Sequence, residues 1–543
     1  MARGKRTRAR RAAAVEAEVE QTETPAGEDG SAAKPPPRPK SARKPAQGRA
    51  AADAGIPSAL PPVGAAALVF VAAGAVLMLE ILAVRLLAPY VGLTLETTTS
   101  IIGAALAGIA IGAAVGGHLA DRTNTRMLIV GLLVGGGLLT LLTVPVVRWL
   151  GPGATGDGDL AALGITALAL VPAAAVLSAV SPAVAHLQLH DLKVSGTIVG
   201  RLSAWATAGA LIGTFGTGFI VIPLMPASTA VLTIGLVLVG IGIVVGTRAR
   251  LLSSAALFAV AVLAFGFGGL SAASDSPCIT ETNYHCLDLE HDPTTSNPAY
   301  NLILDGTYNS YVVLNDPDYL AFAYTRWIAR AIDAAYSPKK PLDAVFVGGG
   351  GFTMPRWLEA TRPGSKSITL EVDGDLVDLD EEKLGLEPSP DLQVRVGDAR
   401  VTMLDIPDDS ADVVVGDAFS GFTVPWHLTT EEWIDEVKRV LRPNGIYTLN
   451  LIDDGPMDLI RAEAATLLKK FEYIRLITFS DRLDQPVGGN IVLVASDRPL
   501  PKKFGPEGKG AFNYDQAFVE QLAISADPLR DDYAPVDQLR TEE

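Results

Sequence analysis

Glycines and carboxylates with the spacing of a nucleoside-binding site occupy the stretch 342–373, LDAVFVGGGGFTMPRWLEATRPGSKSITLEVD. Its four consecutive glycines are Gly348, Gly349, Gly350 and Gly351. Glycine adopts unusual dihedral angles and lets the backbone approach a ligand closely. Glu371 follows Gly351 by twenty residues, the spacing at which dinucleotide-binding folds place an acid on a ribose hydroxyl, and Asp373 lies beside it. The stretch therefore predicts a nucleoside site.

The third glycine of a G-x-G-x-x-G motif is missing from this stretch. Thr353 and Met354 stand at the two positions where it would fall. In dinucleotide-binding folds that glycine permits close packing of the helix against the strand. Its absence argues against NAD and leaves open an adenosine ligand without a pyrophosphate, such as a relative of S-adenosylmethionine.

Strands and helices alternate around these residues. An alternating segment at 298–314, with Asp305-Gly306 as its turn, predicts a β-hairpin, and a helix is expected at 319–335. Further strands are expected at 343–347, 367–372, 392–396, 411–416, 444–451, 473–480 and 489–496. Helices are expected at 353–361, 374–384, 399–405, 429–441 and 456–471, with a short one at 512–524. This order predicts a doubly wound, Rossmann-like α/β domain over 298–500, followed by a loose tail at 501–543.

Ligands of such domains bind beyond the carboxyl ends of the strands. Four predicted strands end at glycine or acid, and the residues are Gly348–Gly351, Glu371, Asp398-Ala399 and Asp417. Glu371 is suited to ribose hydroxyls, Asp398 to an adenine amino group and Asp417 to a reacting amine. Any one acid is equally explained as a helix cap or a solvated turn, but the four together predict a shared pocket.

The first half of the chain has the composition of a membrane protein. The whole chain of 543 residues has 49% hydrophobic and 19% charged residues and a mean hydropathy of +0.30. Seven apolar stretches have the length of membrane spans, at about 63–88, 98–120, 127–149, 160–185, 198–222, 228–247 and 251–271. We therefore expect a transmembrane bundle over 61–272, in contact with the lipid bilayer.

Residues 1–60 predict a disordered basic tail, since they contain almost no large apolar residues. The tail has twelve Lys/Arg against seven Asp/Glu, in a chain whose formal net charge is −16. The remainder is strongly acidic and lacks the basic face that nucleic acids require, so no nucleic-acid partner is expected.

Lys and Arg favour the N-terminal tail and the even-numbered loops between the spans. The positive-inside rule then places the N-terminus in the cytoplasm. With seven spans, the C-terminal domain would be extracytoplasmic. Glu80 and Arg85 lie within or near the end of the first span. Charges at such positions are functional candidates, and the alternative is an interfacial arginine with a packed glutamate.

Two cysteines, Cys278 and Cys286, stand in the linker 273–297. Two cysteines isolated together in an extracytoplasmic segment suggest a disulfide that closes a short loop. The alternatives are a reduced pair in the cytoplasm, or a metal site with His285 and His291.

The order of motifs across about 300–450 resembles the spermidine synthase family, the polyamine aminopropyltransferases, in its membrane-fused branch. The matching segments are LILDGTYNSY, VFVGGGGFT, LEVD, VGDAR and DVVVGDAFSGFTVPWHLTTEEWIDEVKRVLRPNGIY. LEILAVRLLAPYVG, in the first span, is also similar to that branch.

This resemblance implies decarboxylated S-adenosylmethionine as donor co-substrate and putrescine or another polyamine as acceptor, with no metal and no permanently bound cofactor. Glu371 would hold the ribose, Asp398 the adenine, and the glycine turn would face the aminopropyl end. Asp417 matches the catalytic aspartate that accepts the proton of the attacking amine.

The acceptor half departs from the family pattern. The second acid of Asp-x-x-Asp-Pro is Ser420, Tyr-His-Glu has become Tyr324-Thr325-Arg326, and Asn309 stands for a glutamine. We retain Asn309, Tyr324, Asp417 and Ser420 as predicted acceptor-binding residues, although Arg326 would repel a dication.

The sequence leaves three functions open. The first is an aminopropyltransferase that makes spermidine or a related polyamine. The second is a methyltransferase that uses S-adenosylmethionine. The third is a non-catalytic polyamine- or nucleoside-binding membrane protein. A homo-oligomer is compatible with each of them.

Overall fold

The structure is a computed structural model that describes residues 60–91, 95–153, 158–189, 195–419, 424–453, 457–479, 489–504 and 511–539. The predicted basic tail, Ser420 and the end of the chain lie outside the described residues. Two parts follow one another along the described chain. The first is a bundle of apolar helices, and the second is an α/β domain preceded by a small antiparallel sheet.

Seven helices in the described part of the chain are long and apolar enough to cross a membrane. They span Pro62–Val91, Thr97–Ala120, Thr125–Gly153, Val171–Gln188, Ser195–Leu224, Ala227–Arg248 and Ser254–Ala273. The helices of the bundle are α1 (Pro62–Val91), α2 (Leu95–Ala120), α3 (Thr125–Leu150), α4 (Gly158–Ala169), α5 (Val171–Ser178), α6 (Val180–Gln188), α7 (Ser195–Gly216), α8 (Ala227–Arg248) and α9 (Ser254–Ala273).

The predicted fourth span differs most from the structure. A continuous helix over 160–185 is interrupted after Ala169, and again between α5 and α6 at Ala179. Pro172 stands at the start of α5, where its missing N–H and fixed φ suit the first turn of a new helix but not the middle of an old one. The apolar pattern therefore predicted the segment but not its breaks.

Small residues bring the membrane-type helices into close contact. A Cβ on Gly209 of α7 would lie 2.1 Å from the carbonyl oxygen of Phe70 in α1, and one on Gly112 of α2 would lie 2.0 Å from that of Ala175 in α5. Side chains at these two positions would force the helix pairs apart, so glycine sets the spacing of these helices.

An antiparallel sheet of four strands follows the bundle. Its strands, in spatial and chain order, are β1 (Thr280–Glu281), β2 (Cys286–Asp292), β3 (Ala299–Leu304) and β4 (Thr307–Val313). The expected hairpin is the β3–β4 pair. The sequence did not predict β1 and β2, because EHDPTTSNP interrupts alternation with charges and turn residues. Leu287 and Leu302 are fully buried beneath this sheet.

The α/β domain contains one mixed sheet of eight strands. They are β5 (Asp343–Val347), β6 (Lys366–Glu371), β7 (Leu392–Val396), β8 (Ala411–Gly416), β9 (Leu441–Asp453), β10 (Tyr473–Phe479), β11 (Gly489–Ser496) and β12 (Ala511–Tyr514). The spatial order is β12-β10-β11-β9-β8-β5-β6-β7. β5 to β9 form the parallel part, and β9–β11, β11–β10 and β10–β12 pair antiparallel.

The chain runs outward from β5 to β7 and then returns to place β8 on the other side of β5. A crevice forms at such a reversal, at the carboxyl ends of the strands. Helices cover both faces of the sheet: α10 (Ala323–Ala335), α11 (Thr353–Thr361), α12 (Gly374–Leu379), α13 (Ala399–Thr402), α14 (Glu431–Val440), α15 (Asp458–Lys470), α16 (Gln516–Ala523) and α17 (Val536–Leu539). The predicted doubly wound α/β domain is confirmed. The expected helix at 512–524 is shorter, because Ala511–Tyr514 joins the sheet as β12.

The linker contacts the end of the helix bundle at several points. The Arg148 guanidinium in α3 donates to the Ser274 carbonyl over 2.6 Å, and the Glu281 carboxylate accepts from the first N–H of α8, that of Ala227, over 2.7 Å. Arg85, near the end of α1, donates to the carbonyls of Thr282 and Asn283. The linker is therefore anchored on three helices at the end of the bundle that faces the α/β domain.

Candidate functional site

A cleft of ≈ 1090 Å³ lies at the carboxyl ends of β5, β6, β7 and β8. The predicted residues that line it are Asn309, Tyr324, Gly348, Gly349, Gly350, Glu371, Asp398, Ala399 and Asp417. Four separate strand ends thus meet around one space, as the doubly wound topology requires. Its volume exceeds that of many ligand pockets, so it has room for a nucleoside and a second molecule.

The glycine turn forms the centre of the cleft floor. Gly348 has φ +94°, and a Cβ there would lie 2.5 Å from the Asp417 carbonyl oxygen. Gly350 has φ +49°, and a Cβ there would lie 2.6 Å from Asn309 Oδ1 of β4. Side chains at either position meet both backbone strain and a neighbour. The fourth glycine, Gly351, is buried and donates its N–H to Ser310 Oγ over 3.0 Å, which ties the turn to the hairpin.

Glu371 lies at the end of β6 and is 6% exposed. Its Oε2 accepts the N–H of Gly349 over 2.7 Å, and its Oε1 accepts the N–H of Asp373 over 2.9 Å. Burial raises the pKa of Glu371, whereas these two N–H groups lower it by stabilising the carboxylate. Each oxygen retains a further lone pair for a hydroxyl of a sugar bound in the cleft.

Asp373 occupies a different place from the one predicted for it. Its side chain does not line the cleft; it is 1% exposed and caps α12 by accepting the N–H of Asp375 over 3.2 Å. Its other oxygen accepts the hydroxyl of Thr282 over 2.5 Å. A direct contact with a ligand is not available to a carboxylate in this position.

Asp398 follows β7 and caps α13 through the N–H of Arg400 over 2.8 Å. Its Oδ2 lies 3.2 Å from His427 Nε2, and both side chains line the cleft. Asp398 is 46% exposed, so it remains accessible to a ligand while it serves as a helix cap. Capping and ligand binding are therefore compatible at this residue.

Asp417 follows β8 and receives two side-chain hydrogen bonds. Asn450 Nδ2 donates to its Oδ1 over 2.8 Å, and Tyr324 also bonds to the carboxylate. Burial raises the pKa of Asp417 to about 7, against the opposing effect of these donors. A carboxylate with a pKa near neutrality is suited to general-base catalysis at physiological pH.

The predicted acceptor residues differ in where they lie. Asn309 and Tyr324 line the cleft, and Ser420 lies outside the described residues. Arg326 is not among the lining residues; it is exposed and donates to the carbonyls of Leu320 and Ala321. The expected repulsion of a cation by Arg326 therefore has no support in this arrangement.

Sequence reasoning missed several residues of the cleft. Asn450 sits on β9 and also accepts from Asn490 Nδ2 of β11 over 3.2 Å, which fixes the amide with its NH₂ toward Asp417. His285 and Arg85 line the cleft from outside the α/β domain. An asparagine inside an apolar strand, LNLID, is the signal that could have indicated Asn450. Arg85 was a functional candidate as a charge near the end of the first span, but the sequence assigned neither Arg85 nor His285 to this cleft.

Cys278 and Cys286 are joined by a disulfide, with a Cα–Cα distance of 5.2 Å. His285 Nδ1 bonds to Asp305 Oδ2 at 2.8 Å, and His291 packs edge-on against Tyr300. Burial disfavours the imidazolium of His285, but the bond and charge of Asp305 raise its pKa overall. The four residues weighed as a metal site thus have other partners.

Comparison with known proteins supports these assignments of fold. A family profile described as "Methyltransferase domain" matches residues 345–449. A polyamine aminopropyltransferase of Vibrio vulnificus is 27% identical over 174 residues, which cover 32% of this chain and 55% of the relative. A polyamine aminopropyltransferase of Chromobacterium violaceum is 26% identical over 144 residues, covering 26% of this chain and 54% of the relative.

One solved structure is similar to about half of this chain. The crystal structure of a probable spermidine synthase from Corynebacterium glutamicum is 28% identical, with 47% of this chain and 96% of that chain covered and a TM-score of 0.44. The chain spans about half the length of the curated relatives it matches. The seven long apolar helices lie outside residues 345–449, which the family profile matches.

Proposed function

We propose that the protein transfers the aminopropyl group of decarboxylated S-adenosylmethionine to the amine of a diamine such as putrescine. The observation that carries the proposal is the position of Asp417. Its carboxylate lies in the same cleft as Glu371 and Asp398, next to the glycine turn, and the pKa of Asp417 is raised to about 7. The names of the relatives are consistent with this chemistry.

The donor is assigned to the β5–β7 side of the cleft. Glu371 would accept the ribose hydroxyls and Asp398 the adenine amino group, while the backbone of Gly348 and Gly350 faces the sulfonium end. Asp373 would act indirectly, by holding the backbone that bonds to Glu371. This arrangement requires no metal ion.

The chemical step is a nucleophilic substitution at carbon. The acceptor nitrogen attacks the carbon attached to the sulfonium; the C–N bond forms as the C–S bond breaks, and the bonding electrons pass to sulfur, giving methylthioadenosine. The proton that the amine loses moves to Asp417. Because the sulfonium is already a good leaving group, orientation of the two reactants supplies much of the rate.

The acceptor would occupy the side of the cleft that contains Tyr324, Asn309 and Asn450. Tyr324 and Asn450 both bond to Asp417, so they would hold the base while Asn309 bonds to the acceptor. The face of Tyr324 also offers a site for an ammonium group. Ser420 remains a predicted contact.

A methyltransferase is the second candidate, since the matching profile over 345–449 describes a methyltransferase domain. The two candidates differ in donor and product. The full-length protein, in detergent or lipid nanodiscs, should be incubated with putrescine and either the decarboxylated or the ordinary donor. Release of methylthioadenosine and formation of spermidine from the decarboxylated donor supports our proposal. Release of S-adenosylhomocysteine from the ordinary donor alone supports the methyltransferase.

We further propose that the seven apolar helices cross the cell membrane, with the N-terminus in the cytoplasm and the α/β domain outside. Their length and hydropathy support the crossing, and the distribution of Lys and Arg supports the orientation. A catalytic domain in this position must receive its donor from outside the cytoplasm, and a reporter fused to the C-terminus tests the orientation.

A further inference from the structure

A continuous set of hydrogen bonds connects the first membrane-type helix to the floor of the cleft. Arg85, near the end of α1, donates from one guanidinium nitrogen to the carbonyl of Asn283 over 2.8 Å and from another to that of Thr282. Thr282 donates to Asp373, Asp373 donates to Glu371, and Glu371 accepts from Gly349. These six residues belong to four separate segments of the chain.

Thr282 is the centre of this set. Its oxygen accepts the N–H groups of Tyr284 and His285 over 3.0 Å and 2.9 Å. The hydroxyl proton is thereby directed to the Asp373 carboxylate, 2.5 Å away, rather than to the more distant His285 carbonyl at 3.2 Å. Thr282 also lies inside the loop that the Cys278–Cys286 disulfide closes, which limits its movement.

Electrostatic interactions also connect Arg85 to Asp373 and Asp373 to Glu371. Asp305, Glu281 and Asp373 all lie within electrostatic reach of the Arg85 guanidinium. Asp373 in turn lies close enough to Glu371 for its negative charge to raise the pKa of Glu371. The positive charges of Arg85 and His285 oppose this effect, and the charge of His285 acts to lower the pKa of both Glu371 and Asp373.

We propose that Arg85 and Thr282 are positioning residues for the donor nucleoside, and that they act through Asp373 on Glu371. This proposal deepens the proposed function and rests on it. The end of α1 is then part of the apparatus that sets donor affinity, and the bundle is more than an anchor. Thr282 is not among the residues that line the cleft, whereas Arg85 lines it, and each holds the groups that orient the carboxylate for the ribose.

The replacement of Thr282 by valine removes the hydroxyl and keeps the shape. Asp373 then loses a charge-assisted hydrogen bond, and Glu371 loses the fixed N–H that holds its Oε1. We expect the KM for the donor to rise about tenfold with kcat changed by less than about twofold, since one hydrogen bond to a charged group has about this value. Methylthioadenosine binding should weaken by the same factor, whereas Thr282→Ser should restore both.

Arg148 provides a matched control. It also extends from a membrane-type helix and donates to a linker carbonyl, that of Ser274, but no described hydrogen bond connects that contact to Asp373. Arg85→Gln should weaken methylthioadenosine binding to the full-length protein in nanodiscs. Arg148→Gln should leave the affinity within about twofold of wild type.

Calorimetric titration with methylthioadenosine, together with thermal unfolding of each variant, decides the matter. If Thr282→Val and Arg85→Gln both bind methylthioadenosine as tightly as wild type, the positioning role is overturned and the proposed function stays intact. If these two variants, Thr282→Ser and Arg148→Gln all lose methylthioadenosine affinity equally, the positioning role is also overturned, because general loosening of the linker would then be the cause. Failure of the wild-type protein to bind methylthioadenosine overturns the proposed function, and the positioning role with it.

Discussion

Asn450 Nδ2 donates to Asp417 Oδ1 over 2.8 Å, from the neighbouring strand of the parallel sheet. Asn450 is 1% exposed, and Asn490 fixes its orientation from the other side. A donor of this kind stabilises the ionised form of Asp417, while burial favours the neutral form. The balance of the two effects puts the pKa of Asp417 at about 7, where a carboxylate can both accept and release a proton.

The pH dependence of turnover follows from this balance. Asp417 must be ionised to accept a proton, so kcat/KM for the amine should rise with pH through about 7. Asn450→Leu removes a donor to the carboxylate, which favours the protonated form and moves this midpoint to higher pH. Asp398→Asn should raise the KM for the donor but leave the midpoint where it is. An unchanged midpoint in Asn450→Leu would show that Asp417 is not the group that titrates.

Glu371→Gln should reduce affinity for the nucleoside. An amide keeps the size of the side chain, but it replaces one acceptor oxygen with a donor, which then opposes the N–H of Gly349 or Asp373. We expect methylthioadenosine to bind about tenfold to a hundredfold more weakly. Asp375→Asn, an exposed acid in the next helix, is the control and should bind normally. Equal affinity in Glu371→Gln and wild type would remove Glu371 from the site.

Gly350→Ala should abolish nucleoside binding because it displaces the β3–β4 hairpin from the glycine turn. The new Cβ would lie 2.6 Å from Asn309 Oδ1 and 2.8 Å from Ser310 Oγ, so β4 must move away from the glycine turn. Gly364→Ala separates this effect from backbone strain. Gly364 has φ +88°, but its Cβ would meet only Pro341, at 3.6 Å. Backbone strain should lower the free energy of unfolding of both variants by about 1 kcal/mol. Only Gly350→Ala should lose nucleoside binding. Normal binding by Gly350→Ala would contradict the observed contact.

The disulfide and the orientation of the domain are tested together by thiol labelling. In intact cells without reductant, Cys278 and Cys286 should both be blocked, and an impermeant reagent should label them only after reduction. Free thiols that only a membrane-permeant reagent reaches would place the linker in the cytoplasm. That result would reverse the proposed topology without changing the chemistry of the cleft.

The parallel part of the fold was predictable because its signals are local. Strands β5, β7 and β8 have the bounds that the sequence predicts, and glycine or acid follows each of them. Because parallel strands end at one edge of the sheet, the sequence assigns Glu371, Asp398 and Asp417 to a common cleft, and all three line it in the structure.

The rest depended on contacts between distant segments. Asp373 seemed equivalent to Glu371 in sequence, but the Thr282 hydroxyl, ninety-one positions earlier, holds it away from the cleft. Asn450 is one residue of a long buried strand, and only the pairing of β9 with β8 brings it to Asp417. Arg85 was a candidate because a charge within or near the end of a membrane span is costly, but its partners lie about two hundred residues away.

The most direct test of the account is single-turnover transfer by the wild-type protein and Asp417→Asn. Both proteins, at full length in nanodiscs, are mixed with labelled decarboxylated S-adenosylmethionine and putrescine, and methylthioadenosine binding is measured in parallel. The account predicts that wild type forms methylthioadenosine and spermidine. Asp417→Asn should bind the nucleoside normally but transfer at least about a hundredfold more slowly, which is the usual contribution of a general base. Transfer at the wild-type rate by Asp417→Asn, or none by a wild-type protein that binds the nucleoside, would contradict it.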